Sequence, residues 1–256
     1  MYYYIFEPAR EAKEYERTAQ IKECLTNLGI AGEMATPSPG KTIDDLVHSA
    51  ITKRYSTVVA VGGIEVINQV ARALEPYDAV FGIIPLTDHP SITQLIGSAD
   101  WKAAAEQLKK RRWHAVRLGL INNQLAFITP ATVSLPPDMS YTLLTPEFSL
   151  EGQGGLISIS PESQTQENAA SFLVEARYDT AVQKPSLLST FFKQRSPDNL
   201  NSRFSTDSIE VHTGDARPVV IANTEICSTP IICRPQEKPI KLIVARGSGL
   251  SSTGAA

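Results

Sequence analysis

Two continuous apolar runs, Thr57–Val61 and Ala79–Ile84, bracket a stretch whose residues Val66, Ile67, Val70, Ala71 and Leu74 recur at helical spacing. A run that is apolar at every position suits a strand covered on both faces. A helix between two such strands implies a parallel crossover, and a parallel sheet needs helices on both sides. This unit therefore commits the first part of the chain to an α/β arrangement. Its neighbours agree. Tyr2–Phe6 is aromatic and β-branched, as a buried strand would be, and Arg10–Leu28 places Ile21, Cys24, Leu25 and Leu28 on one helical face. Pro37, Pro39 and Gly40 mark a loop, after which Thr42 is a helix N-cap with Asp44 and Asp45 in the first turn. Trp101–Arg112 gives one more helix, with Trp101, Ala104, Ala105 and Leu108 inward.

Beyond Ala115 the texture changes. Short apolar segments (Val116–Ile121, Leu125–Ile128, Leu156–Ile159, Ser171–Glu175, Ser208–His212, Val219–Ala222, Pro230–Cys233, Ile240–Val244) alternate with Pro, Gly, Asn and Ser, and the one helical feature is a turn at Leu187–Lys193. Many short strands with frequent breakers predict an antiparallel sandwich or barrel. The expectation is an N-terminal three-layer, doubly wound parallel-sheet domain over 1–113, an antiparallel β-sandwich domain over 114–246, and a flexible tail at 247–256.

Charge and cysteine content narrow the function classes. With 24 Lys+Arg against 27 Asp+Glu, the net charge of −3 excludes a polycationic nucleic-acid coat, so no nucleic-acid partner is expected. Three cysteines are too few for a disulfide scaffold, and Cys227 and Cys233 fit neither a redox pair nor a zinc knuckle. His48, His89, His114 and His212 are scattered, so no metal site is expected from them. No apolar run is long enough to span a bilayer and no secretory signal is read at the start, which predicts a cytoplasmic protein. Lys102, Lys109, Lys110, Arg111, Arg112 and Arg117 outweigh Glu106. Either they anchor the protein peripherally at the inner membrane face, or they are cations gathered at a helix C-terminus.

In open parallel sheets, ligands bind beyond the carboxyl ends of the strands. Two loops qualify here: Gly62-Gly63-Ile64-Glu65-Val66, and Pro85-Leu86-Thr87-Asp88-His89-Pro90-Ser91. A Gly-Gly turn before a helix lets backbone N–H groups approach a phosphate, and equally makes a tight turn. The runs VVAVGGIEVINQVARAL and FGIIPLTDHPSITQLIG resemble the catalytic domain of diacylglycerol kinases and bacterial lipid kinases, which reads GGDGT-INEV and PLGTGNDFARALG at these places. Glu7-Pro8-Ala9-Arg10 stands at the family's NP-x-x-G turn, and Asn223-Thr224-Glu225 at its DGE motif. The resemblance spans residues 2 to about 246.

That resemblance implies ATP and Mg²⁺ as cofactors if the chain is active, with transfer of a phosphoryl group to a lipid hydroxyl. Gly62, Gly63, Thr87 and Asp88 would then hold nucleotide, and Glu225 would be the catalytic acid–base group. The departures from the family fall on the chemistry: Ile64, Glu65 and Val66 replace Asp, Gly and Thr of GGDGT, and Pro90 removes a backbone donor. They place a second reading beside the first, a non-catalytic pseudokinase that binds a lipid or a protein partner. The lipid, the protein partner and the oligomeric state stay open at this point.

Overall fold

The computed structural model describes residues 1–162, 172–177 and 201–245. The tail expected at 247–256 and the turn expected at Leu187–Lys193 lie outside these residues. The chain begins β1 (Tyr2–Phe6), α1 (Ala12–Asn27), β2 (Glu33–Ala35), α2 (Ile43–Thr52), β3 (Thr57–Gly62), α3 (Ile64–Leu74), β4 (Val80–Pro85), α4 (Pro90–Ile96) and α5 (Trp101–Lys110). Strands then dominate: β5 (Trp113–Val116), β6 (Gly119–Ile121), β7 (Leu125–Phe127), β8 (Ala131–Leu144), β9 (Ser149–Pro161), β10 (Phe172–Arg177), β11 (Asn201–Thr206), β12 (Ile209–Thr213), β13 (Pro218–Ile221), β14 (Thr224–Ser228), β15 (Ile231–Pro235) and β16 (Ile240–Ile243). Among the described residues no helix is long and apolar enough to cross a membrane.

The fold is an N-terminal three-layer α/β sheet followed by an antiparallel β-sandwich. The first sheet has the order β2-β1-β3-β4-β16-β5, parallel except for β5. The period of two along its strands sorts the side chains between layers. Tyr3, Ile5, Val58, Ala60, Phe81 and Ile83 pack against α2 and α3. Tyr2, Tyr4, Phe6, Val59 and Val61 pack against α1 and α5. The tyrosines on the second side satisfy their hydroxyls at the layer edge: Tyr2 donates to the Leu108 carbonyl at 2.8 Å and Tyr4 to that of Ile30 at 2.6 Å.

The second sheet runs β11-β10-β9-β8-β12-β15-β6-β7, with β13 on β8 and β14 on β13. Long β8 serves both halves of the sandwich: Ala131–Val133 pair with β13, and Tyr141–Leu144 pair with β12. Its register against β9 shifts between Leu135 and Ser140. Pro136 and Pro137, which cannot donate to a ladder, fall inside that shift. Val133, Leu143, Ile157, Phe172, Val174 and Val211 are among the side chains of the sandwich core.

Two strands depart from the sequence expectation. The segment expected as one strand over Val116–Ile121 splits at Arg117-Leu118, so β5 joins the first sheet and β6 the second. Strand β16, expected in the sandwich, lies between β4 and β5 in the first sheet. There Ile240 and Leu242 are buried on one face and Ile243 on the other, as in an interior strand of a three-layer sheet. Helix α3 joins the two parts. Ala126 and Ile128 pack into its cluster, and the buried Asn68 amide donates to the Ile64 carbonyl at 2.9 Å and to Thr129 Oγ1 at 2.6 Å. Its oxygen accepts from Ile128 N–H at 3.1 Å and Thr129 N–H at 3.3 Å.

Candidate functional site

The loops after β1, β3 and β4 meet at the carboxyl edge of the first sheet, where they border a cleft of about 480 Å³. Glu7, Arg10, Arg17, Gly63, Thr87 and Asn223 are among the residues lining it. Several backbone donors here are already engaged by side chains of the chain. Glu7 Oε2 accepts the Gly63 N–H at 2.6 Å, at the N-cap of α3. Glu14 Oε2 accepts the N–H groups of Arg10 at 2.6 Å and Glu11 at 3.2 Å, at the start of α1. Those two N–H groups hold the Glu14 carboxyl below the usual carboxylate range. At α4, His89 Nδ1 accepts from Ser91 N–H at 3.2 Å, and Pro90 has no N–H to offer. Each strand-end loop thus gives at least one N–H to a side chain of this chain.

Glycine at Gly62 is required by Glu7. A β-carbon there would lie 2.9 Å from Glu7 Oε2, 3.0 Å from Glu7 Cβ and 3.1 Å from Val66 Cβ. The residue that permits close approach is therefore approached by the chain's own carboxylate. Arg17 crosses from α1 and donates from Nη1 to the Leu86 carbonyl at 2.6 Å, tying the first loop to the third.

A second cleft of about 560 Å³ adjoins the first at Ile64 and Asn223. It lies between α4 and the outer face of β8, β9, β10 and β11, and its lining includes Gln94, Thr132, Ser158, Glu175, Arg177 and Arg203. Of the residues singled out in the sequence, Gly63 and Thr87 line the first cleft and Gly62 is buried beneath it. Asp88 is exposed in the turn before α4 and lines neither cleft. Glu225 is exposed on β14 and also lines neither. Asn223, the first residue of the DGE-like motif, borders both, from a tight hairpin in which Ala222 and Asn223 take φ of 51° and 64°. Among the described residues no three His, Cys, Asp or Glu side chains converge as a metal site would need.

Three residues that organise this region were not found by sequence reasoning. Glu7 stands where the resembled motif has asparagine, and its reach to Gly63 depends on β1 and β3 being neighbours. Asn68 is a polar residue within an apolar helical stripe, a signal that was available in the INQV run. Arg203 carries no local signal, since its setting is made by strands distant in sequence.

No family model and no curated protein matches the chain by sequence. Solved structures do match. A candidate diacylglycerol kinase from Bacillus anthracis str. Sterne superposes with a TM-score of 0.74 at 12% identity, covering 95% of this chain and 97% of that one. A second structure, described in the same way and from the same strain, gives 0.73 at 11% identity with the same coverage. A diacylglycerol kinase of that strain gives 0.71 at 12% identity, covering 95% and 96%. The chain has the diacylglycerol-kinase fold over nearly its whole length, which bears out the resemblance read from its motifs at the level of the fold.

Proposed function

We propose that this chain is a non-catalytic protein of lipid-kinase fold, which binds a ligand in the cleft between α4 and the sandwich and does not phosphorylate it. One observation carries the reading: the carboxylates of Glu7 and Glu14 already accept N–H groups at the loops after β3 and β1, and so set negative charge where ATP phosphates would lie. Phosphoryl transfer depends on a cradle of donors and a metal ion that offset the charge of the transition state. A phosphate oxygen at Gly63 would have to displace the Glu7 carboxylate and then remain beside a like charge. Ile64 and Val66, which stand where the resembled motif has Asp and Thr, bury apolar side chains and offer no metal ligand. The residues present do not fit ATP with Mg²⁺, so no transfer step is assigned to them. Exposure of Glu225 away from both clefts supports the same reading.

The alternative is an active ATP-dependent lipid kinase, favoured by the fold and by the retained acid at Glu225. The test is transfer of labelled phosphate from ATP, with Mg²⁺, to diacylglycerol and to a total lipid extract in mixed micelles. Glu225→Gln is purified and assayed in parallel. Folded protein is expected to give no labelled lipid above the blank, and Mg·ATP is expected to leave its melting temperature unchanged. A labelled lipid band that vanishes in the variant would overturn the proposal.

A further inference from the structure

We infer that β5, the open edge of the first sheet, receives an extended acidic segment of a partner protein as an added strand. The sheet ends at β5, which pairs with β16 on one side only. Val244 N–H donates to the Arg112 carbonyl at 3.1 Å, and this fixes the phase of the ladder. Facing positions in an antiparallel ladder alternate between bonded and non-bonded pairs. His114 and Val116 therefore turn their N–H and C=O groups to β16, whereas Trp113 and Ala115 turn theirs outward. Both outward residues are exposed, and among the described residues no other backbone pairs with them. The edge lies outside both clefts.

An uncovered edge strand is ordinarily blunted by a charge, a proline or a bulge within it. Strand β5, Trp113-His114-Ala115-Val116, has none of these, and burial pushes the His114 imidazole down, towards its neutral form. Trp113 is 44% exposed, a large aromatic surface for an incoming side chain to cover. Cations surround it, and some are engaged. Lys241 Nζ sits 5.6 Å from the Trp113 ring centre and 2.7 Å from Asp78 Oδ1. Arg111 donates to Ser56 Oγ and Thr57 Oγ1, each at 3.3 Å. Lys109, Lys110 and Arg112 are exposed and, among the described residues, form no ion pair, not even with Glu106 on the same helix. The charge left at this edge is positive, and it selects the occupant. A second copy of the chain pairing edge to edge would bring the same cations face to face. An acidic strand neutralises them while its backbone meets the free N–H and C=O groups of Trp113 and Ala115.

The probe is a fluorescein-labelled peptide of alternating Glu and Val, titrated into the full chain with anisotropy as the readout. Its control is the same peptide N-methylated at two adjacent central residues, which keeps the charge and removes N–H donors from both edges. The unmodified peptide is expected to bind, and to bind more weakly as salt is raised. The N-methylated control, and a variant carrying Lys110→Glu and Arg112→Glu, are each expected to weaken binding about tenfold or more. Amide hydrogen exchange in the wild type gives a second readout that needs no variant. The Trp113 and Ala115 amides are expected to exchange freely in the chain alone and about tenfold more slowly with peptide bound. Those of His114 and Val116 stay protected throughout. Absence of binding overturns the inference, as does equal binding of the N-methylated control or by the variant, whose fold is checked by circular dichroism. Protection of the Trp113 and Ala115 amides by dimerisation of the chain alone would overturn it in favour of a second copy. Their protection by phosphatidylglycerol vesicles and not by peptide would overturn it in favour of a membrane surface. None of these outcomes involves nucleotide or either cleft, so the inference and the non-catalytic reading can fail separately.

Discussion

Asn68 makes four hydrogen bonds from one buried amide, and they join α3 to the strand segment at Ile128 and Thr129. Asn68→Ala would strand two buried backbone N–H groups and leave a small void. It is expected to cost about 2–4 kcal/mol, read as a lower midpoint in urea unfolding. The INQV run in which Asn68 sits carries the family resemblance, and its polar residue is here a joint between the two halves. At Gly62 a motif glycine serves a carboxylate of the same chain. Single residues were thus legible as motif positions, but their partners were not, because each partner comes from another strand. Cys233 is a residue-scale case that needs no partner. Burial pushes its thiol up to about 12, and Cys227 next to it is raised as well. In native protein a thiol reagent is expected to modify the half-buried Cys24 first and to leave Cys233 unreacted until denaturant is added. Prompt reaction of all three would contradict the packing described.

At the scale of elements, the start of α2 was readable to the residue. Thr42 is its N-cap, and Thr42 and Asp45 exchange bonds in a capping box, with Asp45 N–H donating to Thr42 Oγ1 at 3.2 Å and Thr42 N–H to Asp45 Oδ2 at 2.8 Å. Thr42→Ala is expected to destabilise the protein by about 1 kcal/mol in denaturant titrations. The Thr42 N–H holds the Asp45 carboxyl below its ordinary 3.8. Because the folded value is the lower one, this contribution is complete above 3.8 and is lost as the pH falls from there through the folded value. An Asp45→Asn variant should therefore show a shallower loss of stability over that acid range than the wild type. Strand β8 was the opposite case. It is missing from the segments read as strands, and its Pro136-Pro137 pair interrupts the sequence near its middle. In the fold the prolines occupy the register shift, facing Gly154 at a φ of 65°, where a β-carbon would come within 2.8 Å of Pro137 Cα. A breaker at a bulge and a breaker in a loop look alike in sequence.

Over the whole molecule, the order of an α/β part and a β part was legible from periodicity alone. The crossing of the chain back into its first sheet was not, since a four-residue apolar strand carries no mark of which sheet will receive it. The clefts were legible only in part: the loops could be placed at strand ends, whereas Thr132, Ser158, Glu175 and Arg203 come together only through pairing. Strand β16 supplies the neighbour of β4 and the whole pairing of β5. A fragment ending at 113 is therefore expected to lack a cooperative thermal transition by circular dichroism, although it contains every helix among the described residues. A sharp two-state melt of that fragment would show that the first sheet closes without its late strand.

The same placement sets a schedule for biosynthesis. The ribosome completes β4 long before it reaches Ile240, and every residue of the sandwich is made in between. At a rate of roughly 5–20 residues per second, the nascent chain carries the apolar edge of β4 unpaired for about ten seconds or longer. During that interval the backbone groups of Val80–Pro85 are open to any strand that can add to them, including one from a neighbouring nascent chain. Slowing translation just upstream of codon 240 should thus raise the aggregated fraction of newly made protein, while the same pause placed upstream of codon 57, before β3 and β4 are made, should leave it unchanged.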